Sequence, residues 1–146
     1  MRTQYDIKLI AAILGLHHGR EGYSKIWLSE RMRQGLPGDS LVRVHQNVLG
    51  GNVEHLRPIA SRSTLIRARR GRGLLSPLIS EKVVRLAQVW IQAQGVYKDD
   101  SKARRFLAEP HMMLRGLPPL TVAVTNRAGL EAVEQLIGRL RFGSAP

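Results

Sequence analysis

The stretch from Pro58 to Gly73, PIASRSTLIRARRGRG, decides how this chain is read. With the preceding residue it gathers six arginines, Arg57, Arg62, Arg67, Arg69, Arg70 and Arg72, and no acidic side chain. Arginine's planar fork donates paired hydrogen bonds to phosphate or guanine and never loses its charge. Ser61 is a helix N-cap residue, and a short helix from Arg62 to Arg70 is expected behind it. In that helix Leu65 and Ile66 are expected to face a core, with Arg62, Ser63, Arg67 and Arg70 facing out. The pattern is that of the second helix of a helix-turn-helix. The competing reading is an ordinary solvated face, but surface charge usually comes mixed in sign. Residues 57–92 hold eight Lys or Arg against one Glu, a net of +7 out of +12 for all 146 residues. A localised basic stripe of this kind is the electrostatic footprint of a polyanion binder.

Outward from this stretch, glycine and proline cut the chain into short helical pieces, and strand signals are scarce. Tyr5 to Leu16 and Ser24 to Gln34 read as helices, the second with Ile26, Trp27, Leu28 and Met32 as its apolar face. Asp39 is expected to cap a third helix that ends at Gly50-Gly51, and Asn52 to cap a short one stopped by Pro58. Ser76-Pro77 reads as N-cap plus first-turn proline of a longer helix carrying Ile79, Val83, Val84, Leu86, Ala87, Trp90 and Ile91, closed by Gly95. Asp99 to Leu107 reads as a short amphipathic helix, and 109–119 as a turn-rich stretch. Either Thr125 or Asn126 caps a final helix over Arg127 to Leu140, whose apolar positions are Leu130, Val133, Leu136, Ile137 and Leu140. The fold class is therefore all-α, with a boundary near Gly95.

Three stretches carry a family resemblance. Ile59 to Trp90, IASRSTLIRARRGRGLLSPLISEKVVRLAQVW, resembles the N-terminal half of the Xre/MbcA/ParS antitoxins, in which a serine-capped arginine-rich helix leads into G-x-L-S-P and S-[DE]-[KR]-x-x-R-L-A-x-V. Asp99 to Leu120, DDSKARRFLAEPHMMLRGLPPL, is similar to that family's toxin-binding module, with its A-R-x-[WF]-L helix, proline, leucine-glycine turn and P-L. Gly129 to Gly143, GLEAVEQLIGRLRFG, resembles its closing segment. The resemblance spans residues 36–143 and implies an N-terminal extension (1–35), an Xre-like helix-turn-helix domain (36–94) and a small α-helical toxin-binding domain with an inhibitory tail (95–146). It also implies the work: neutralising a RES-domain toxin, an enzyme that consumes NAD or transfers ADP-ribose from it, and repressing the chain's own operon.

On that reading Arg62, Ser63, Thr64 and Arg67 meet base edges, while Arg69, Arg70 and Arg72 hold phosphates. The resemblance places Arg104, Arg105, Arg139, Arg141, Phe142, Gly143, Ser144, Ala145 and Pro146 against the toxin. The last residues are small enough to thread a narrow nucleotide cleft, with the carboxylate of Pro146 in the place of a phosphate. A solvated helix end for Arg139 and Arg141, and a frayed tail, are the competing readings. Two departures stand out. Thr121 to Asn126 replaces an acidic, leucine-rich stretch, and Pro58 and Ile59 fall where a regular first helix and its turn glycine are expected.

One helix-turn-helix reads half a site, so a homodimer on operator DNA within a hetero-oligomeric toxin–antitoxin complex is expected. Leu9, Ile13, Leu14 and Trp27 supply either its dimer surface or the protomer core. The alternative function is a helix-turn-helix regulator with no enzyme partner. Catalysis, metal and cofactors are not expected. The five histidines are scattered, no G-x-S-x-G or phosphate loop is present, and the chain has no cysteine. Ser61, Ser76 and Ser80 are explained as caps, and Met112 and Met113 either pack or form an adaptable partner surface. The apolar run Leu9 to Leu16 is too short to span a bilayer, so a cytoplasmic protein is expected.

Overall fold

The computed structural model describes residues 4–20, 22–71 and 73–143; Arg72, Ser144, Ala145 and Pro146, named above as contact residues, lie outside the described residues. Ser76 caps the longest helix, its hydroxyl accepting from the Ile79 amide at 3.2 Å, with Pro77 in the first turn. This helix, α5 (Pro77–Tyr97), is about 30 Å long at 1.5 Å per residue. Around it lie α1 (Gln4–Leu14), α2 (Lys25–Gln34), α3 (Gly38–Asn47), α4 (Arg62–Arg69), α6 (Asp100–Ala108), α7 (Pro119–Thr125) and α8 (Arg127–Arg141). The fold is all-α. Among the described residues there is no strand, only two isolated bridges, Pro37 to Leu74 and His111 to Leu117.

The helix starts follow capping chemistry. Ser24, Ser61, Asp99 and Asn126 each accept from the amide three residues on, which satisfies one orphan donor of the first turn. Asp39 does not cap α3: the helix begins at Gly38 after Pro37, and Asp39 instead pairs with Arg43 at 2.7 Å in its first turns. Gly95 does not close α5, which runs two residues further and ends on Lys98 in the left-handed region. Its lack of a side chain serves packing, because a Cβ there would sit 2.8 Å from Nη2 of Arg141 on α8.

One continuous core joins both halves of the chain. α5 meets α1, α2, α3, α6, α7 and α8, and Val83, Leu86, Ala87, Val89 and Ala93 are buried along it. Each large side chain buried in this way stabilises the fold by about 1.5–3 kcal/mol. The N-terminal helices belong to the same core: Ile10, Leu14, Trp27 and Leu28 are buried, so Leu14 and Trp27 serve the protomer and are not open to a second copy. Two buried serines tie the pieces together. Ser40 donates to the Leu14 carbonyl at 2.7 Å, and Ser80 accepts from the Leu36 amide at 2.8 Å. Ser80 is thus a cross-link to the α2–α3 connection, not a cap.

α7 begins where the turn-rich stretch 109–119 ends, over residues for which no element was expected. Its β-branched residues disfavour a helix intrinsically, but Pro119 is preset for a first turn and Leu120, Ala123 and Val124 are buried on one side. Arg85 on α5 then donates to the carbonyl of Val124, in the last turn of α7, at 2.7 Å.

Candidate functional site

The arginine stretch forms α4, a two-turn helix standing on α3. Leu65 is 2% exposed and Ala68 is buried, whereas Ile66 is 43% exposed. The buried pair is spaced i, i+3, as one helix face requires; α4 buries only that narrow face, and Ile66, about 100° round the helix from Leu65, falls outside it. Contact with α3 is close, because a Cβ on Gly38 would lie 2.9 Å from the Cα of Ala68. Arg62, Ser63, Arg67, Arg69 and Arg70 are exposed, and none of these arginines has an ion-pair partner among the described residues. Thr64 is half-buried and shares its hydroxyl with Ser61 at 2.9 Å and Arg67 at 3.4 Å.

The segment ahead of α4 is not a regular helix. Asn52 accepts from the amides of Glu54 and His55, holding a single 3-10 turn, Glu54–Leu56, and Leu56 and Ile59 anchor the following bend in the core. Pro58 accounts for the brevity, since it has no amide to donate and restricts the residue before it. Its carbonyl accepts from Lys82 of α5 at 3.2 Å. Arg57 pairs with Glu54 at 3.8 Å, so part of its charge is already answered within the turn.

Beneath α4 lies His45 of α3, 2% exposed, with neither ring nitrogen hydrogen-bonded among the described residues. Burial lowers its pKa, the nearby Arg69 guanidinium lowers it further, and the adjacent Asn52 backbone offsets this in part. The imidazole is therefore held neutral. Helical spacing carries the signal for this burial, because Leu41, Val48 and Leu49 fall at i−4, i+3 and i+4 from His45 and are buried with it.

The C-terminal candidates divide into two groups. Arg104 is engaged inside the protomer: Nε and Nη2 donate to the carbonyl of Asn47, the last residue of α3, at 3.2 and 2.9 Å, and the guanidinium lies 5.6 Å from the Trp90 ring centre. Arg105, Arg139, Arg141, Phe142 and Gly143 are exposed, with Phe142 at 83%. Arg139, Arg141 and Phe142 gather at the end of α8, where the unpaired carbonyls of the last turn favour cations.

Beside that end runs a groove of about 460 Å³ that sequence spacing did not reveal. Tyr97, Phe106, His111 and Leu140 line it; Tyr97 and Phe106 have ring centres 5.6 Å apart, and Phe106 and His111 6.2 Å apart. Partial burial raises the pKa of Tyr97. A larger cleft of about 760 Å³ lies between α2, α5 and α8, with Lys25, Arg33, Arg85 and Arg127 interleaved with Glu81, Glu131 and Glu134. Its charges are mixed, and no nucleophile–base pair is found in it. Among the described residues no three His, Asp or Glu side chains form a metal-holding group, and no helix is long and apolar enough to cross a membrane.

Residues 92–143 match a family model described as the antitoxin Xre/MbcA/ParS C-terminal toxin-binding domain. The matched span begins in the last turns of α5 and takes in α6, α7 and α8, hence the groove and the exposed end of α8. No curated protein matches the chain.

Proposed function

We propose that this chain, whose residues 92–143 match the toxin-binding domain of the Xre/MbcA/ParS antitoxins, neutralises a RES-domain toxin by closing that enzyme's NAD site with residues 142–146. The observation that carries this reading is that the matched segment ends on the exposed cluster Arg139, Arg141 and Phe142. An apolar ring flanked by two cations suits a cleft that accepts an aromatic base and phosphates. Arg105 supports the contact from α6, and Arg104 serves it indirectly by fixing α6 to α3. The chain itself supplies no catalysis and needs no cofactor.

The second activity is autoregulation in the cytoplasm. Arg62, Ser63 and Arg67 on the front of α4 read base edges, with Thr64 behind them, and Arg69, Arg70 and Arg72 grip phosphates. Unpaired arginines on an exposed helix favour this use over a merely solvated face. A dimer presents two such helices to the operator. Its surface lies among the exposed apolar side chains Ile66, on the arginine helix, and Leu74 and Leu78, which follow it. The division at residues 36 and 95 is one of tasks, carried on a shared core. A regulator with no enzyme partner is the alternative, favoured by the same arginines.

Co-expression with the product of the adjacent reading frame tests both activities. The full chain should restore growth and co-purify with that product, and a chain cut before Phe142 should lose rescue. Arg62→Ala with Arg67→Ala should retain rescue but release a reporter driven by the operon's promoter. A harmless neighbour that never binds leaves the regulator reading.

A further inference from the structure

The exposed apolar surface of the C-terminal region is not spread evenly. Met112 is 90% exposed, Met113 46% and Leu117 49%, and all three lie on one turn, closed by the His111 to Leu117 bridge and by Arg115 in the left-handed region. His111 fixes the turn by accepting from the Met113 amide at 3.1 Å. The turn packs beside α8, and His111 places it at the mouth of the groove lined by Tyr97, Phe106 and Leu140. Leaving three large apolar side chains in water at the edge of an aromatic groove forgoes burial that a partner would recover. Methionine's flexible, polarisable side chain suits a surface that adapts to that partner. Lys102 and Arg105 flank the groove against one carboxylate, Glu109.

We propose that this groove and its methionine lip form a second docking surface for the toxin, separate from residues 142–146, that receives an apolar anchor flanked by carboxylates on the toxin's surface. The occupant follows from the setting. The groove lies wholly within the matched toxin-binding domain, its floor calls for an apolar group, and its cationic flank selects acidic neighbours. Such a surface supplies affinity through burial while the tail supplies blockage. The inference rests on the antitoxin reading.

Binding of the purified full chain to the product of the adjacent reading frame, followed by calorimetry, tests it with two double variants: Met112→Ser with Met113→Ser, and Lys102→Glu with Arg105→Glu. All four side chains are exposed, so melting profiles should match the parent. Each pair is expected to weaken binding at least about tenfold. A chain cut before Phe142 should still bind while failing to inhibit. If the parent binds and both variants bind equally well, the groove is overturned and the antitoxin reading stands. If the parent does not bind at all, that reading falls and the groove with it. If the variants dissociate a homodimer without changing toxin affinity, a second copy is the occupant and the proposal is overturned.

Discussion

His45 shows what a single side chain contributes. A buried imidazole beside Arg69 is easier to protonate once the chain unfolds, so the unfolded state takes up more protons below the ordinary pKa of 6.5. Stability from this residue is present above that pH and is lost as the pH falls further. Denaturant unfolding should therefore show a decline as the pH falls below 6.5 that His45→Leu flattens, since leucine has nothing to titrate and leaves no polar atom unpaired. An unchanged slope would mean that other groups set the acid limit. Arg104 illustrates the opposite case, a charged residue, within the segment that the family model matches, that works as a structural tie. Its motif position, Ala103-Arg104-Arg105, gave no clue as to which arginine turns inward; only the path of α3 decides that, by bringing the Asn47 carbonyl within reach.

At the scale of elements, two glycines of similar appearance have opposite consequences. Gly38→Ala drives a Cβ into the backbone of Ala68, which cannot yield without shifting α4, and should cost about 1–3 kcal/mol in urea unfolding. Gly95→Ala meets only the flexible end of Arg141 and should stabilise α5 by about 0.5–1 kcal/mol. Most helix starts were legible in the sequence because capping is local: Ser24, Ser61, Ser76, Asp99 and Asn126 act within three residues. α7 was not, because the β-branched residues of Thr121 to Thr125 argue against a helix until burial of Leu120 and Val124 overrides them. Glycine read as punctuation failed at Gly95, which lies inside α5 with the helix continuing to Tyr97. The basic face of α4 was legible from charge, but the exposure of Ile66 was not, because only the packing of α4 on α3 decides how wide a face it buries.

For the whole molecule, α5 joins the arginine helix's support to the segment that the family model matches. Lys82 holds the Pro58 carbonyl near one end, and Gly95 seats Arg141 near the other. The exposed groove beside α8 was invisible in the sequence, because Tyr97, Phe106, His111 and Leu140 come from separate elements that only the tertiary fold assembles. The proposed inhibition acts from the far end of this assembly, where Arg139, Arg141 and Phe142 precede the last residues of the chain. It is tested most directly by titrating the chain into the purified product of the adjacent reading frame while following NAD consumption. Inhibition should saturate at a fixed stoichiometry with the full chain and disappear with one cut before Phe142. Undiminished NAD consumption in the presence of excess full chain, or equal inhibition by the cut chain, would rule out inhibition through residues 142–146.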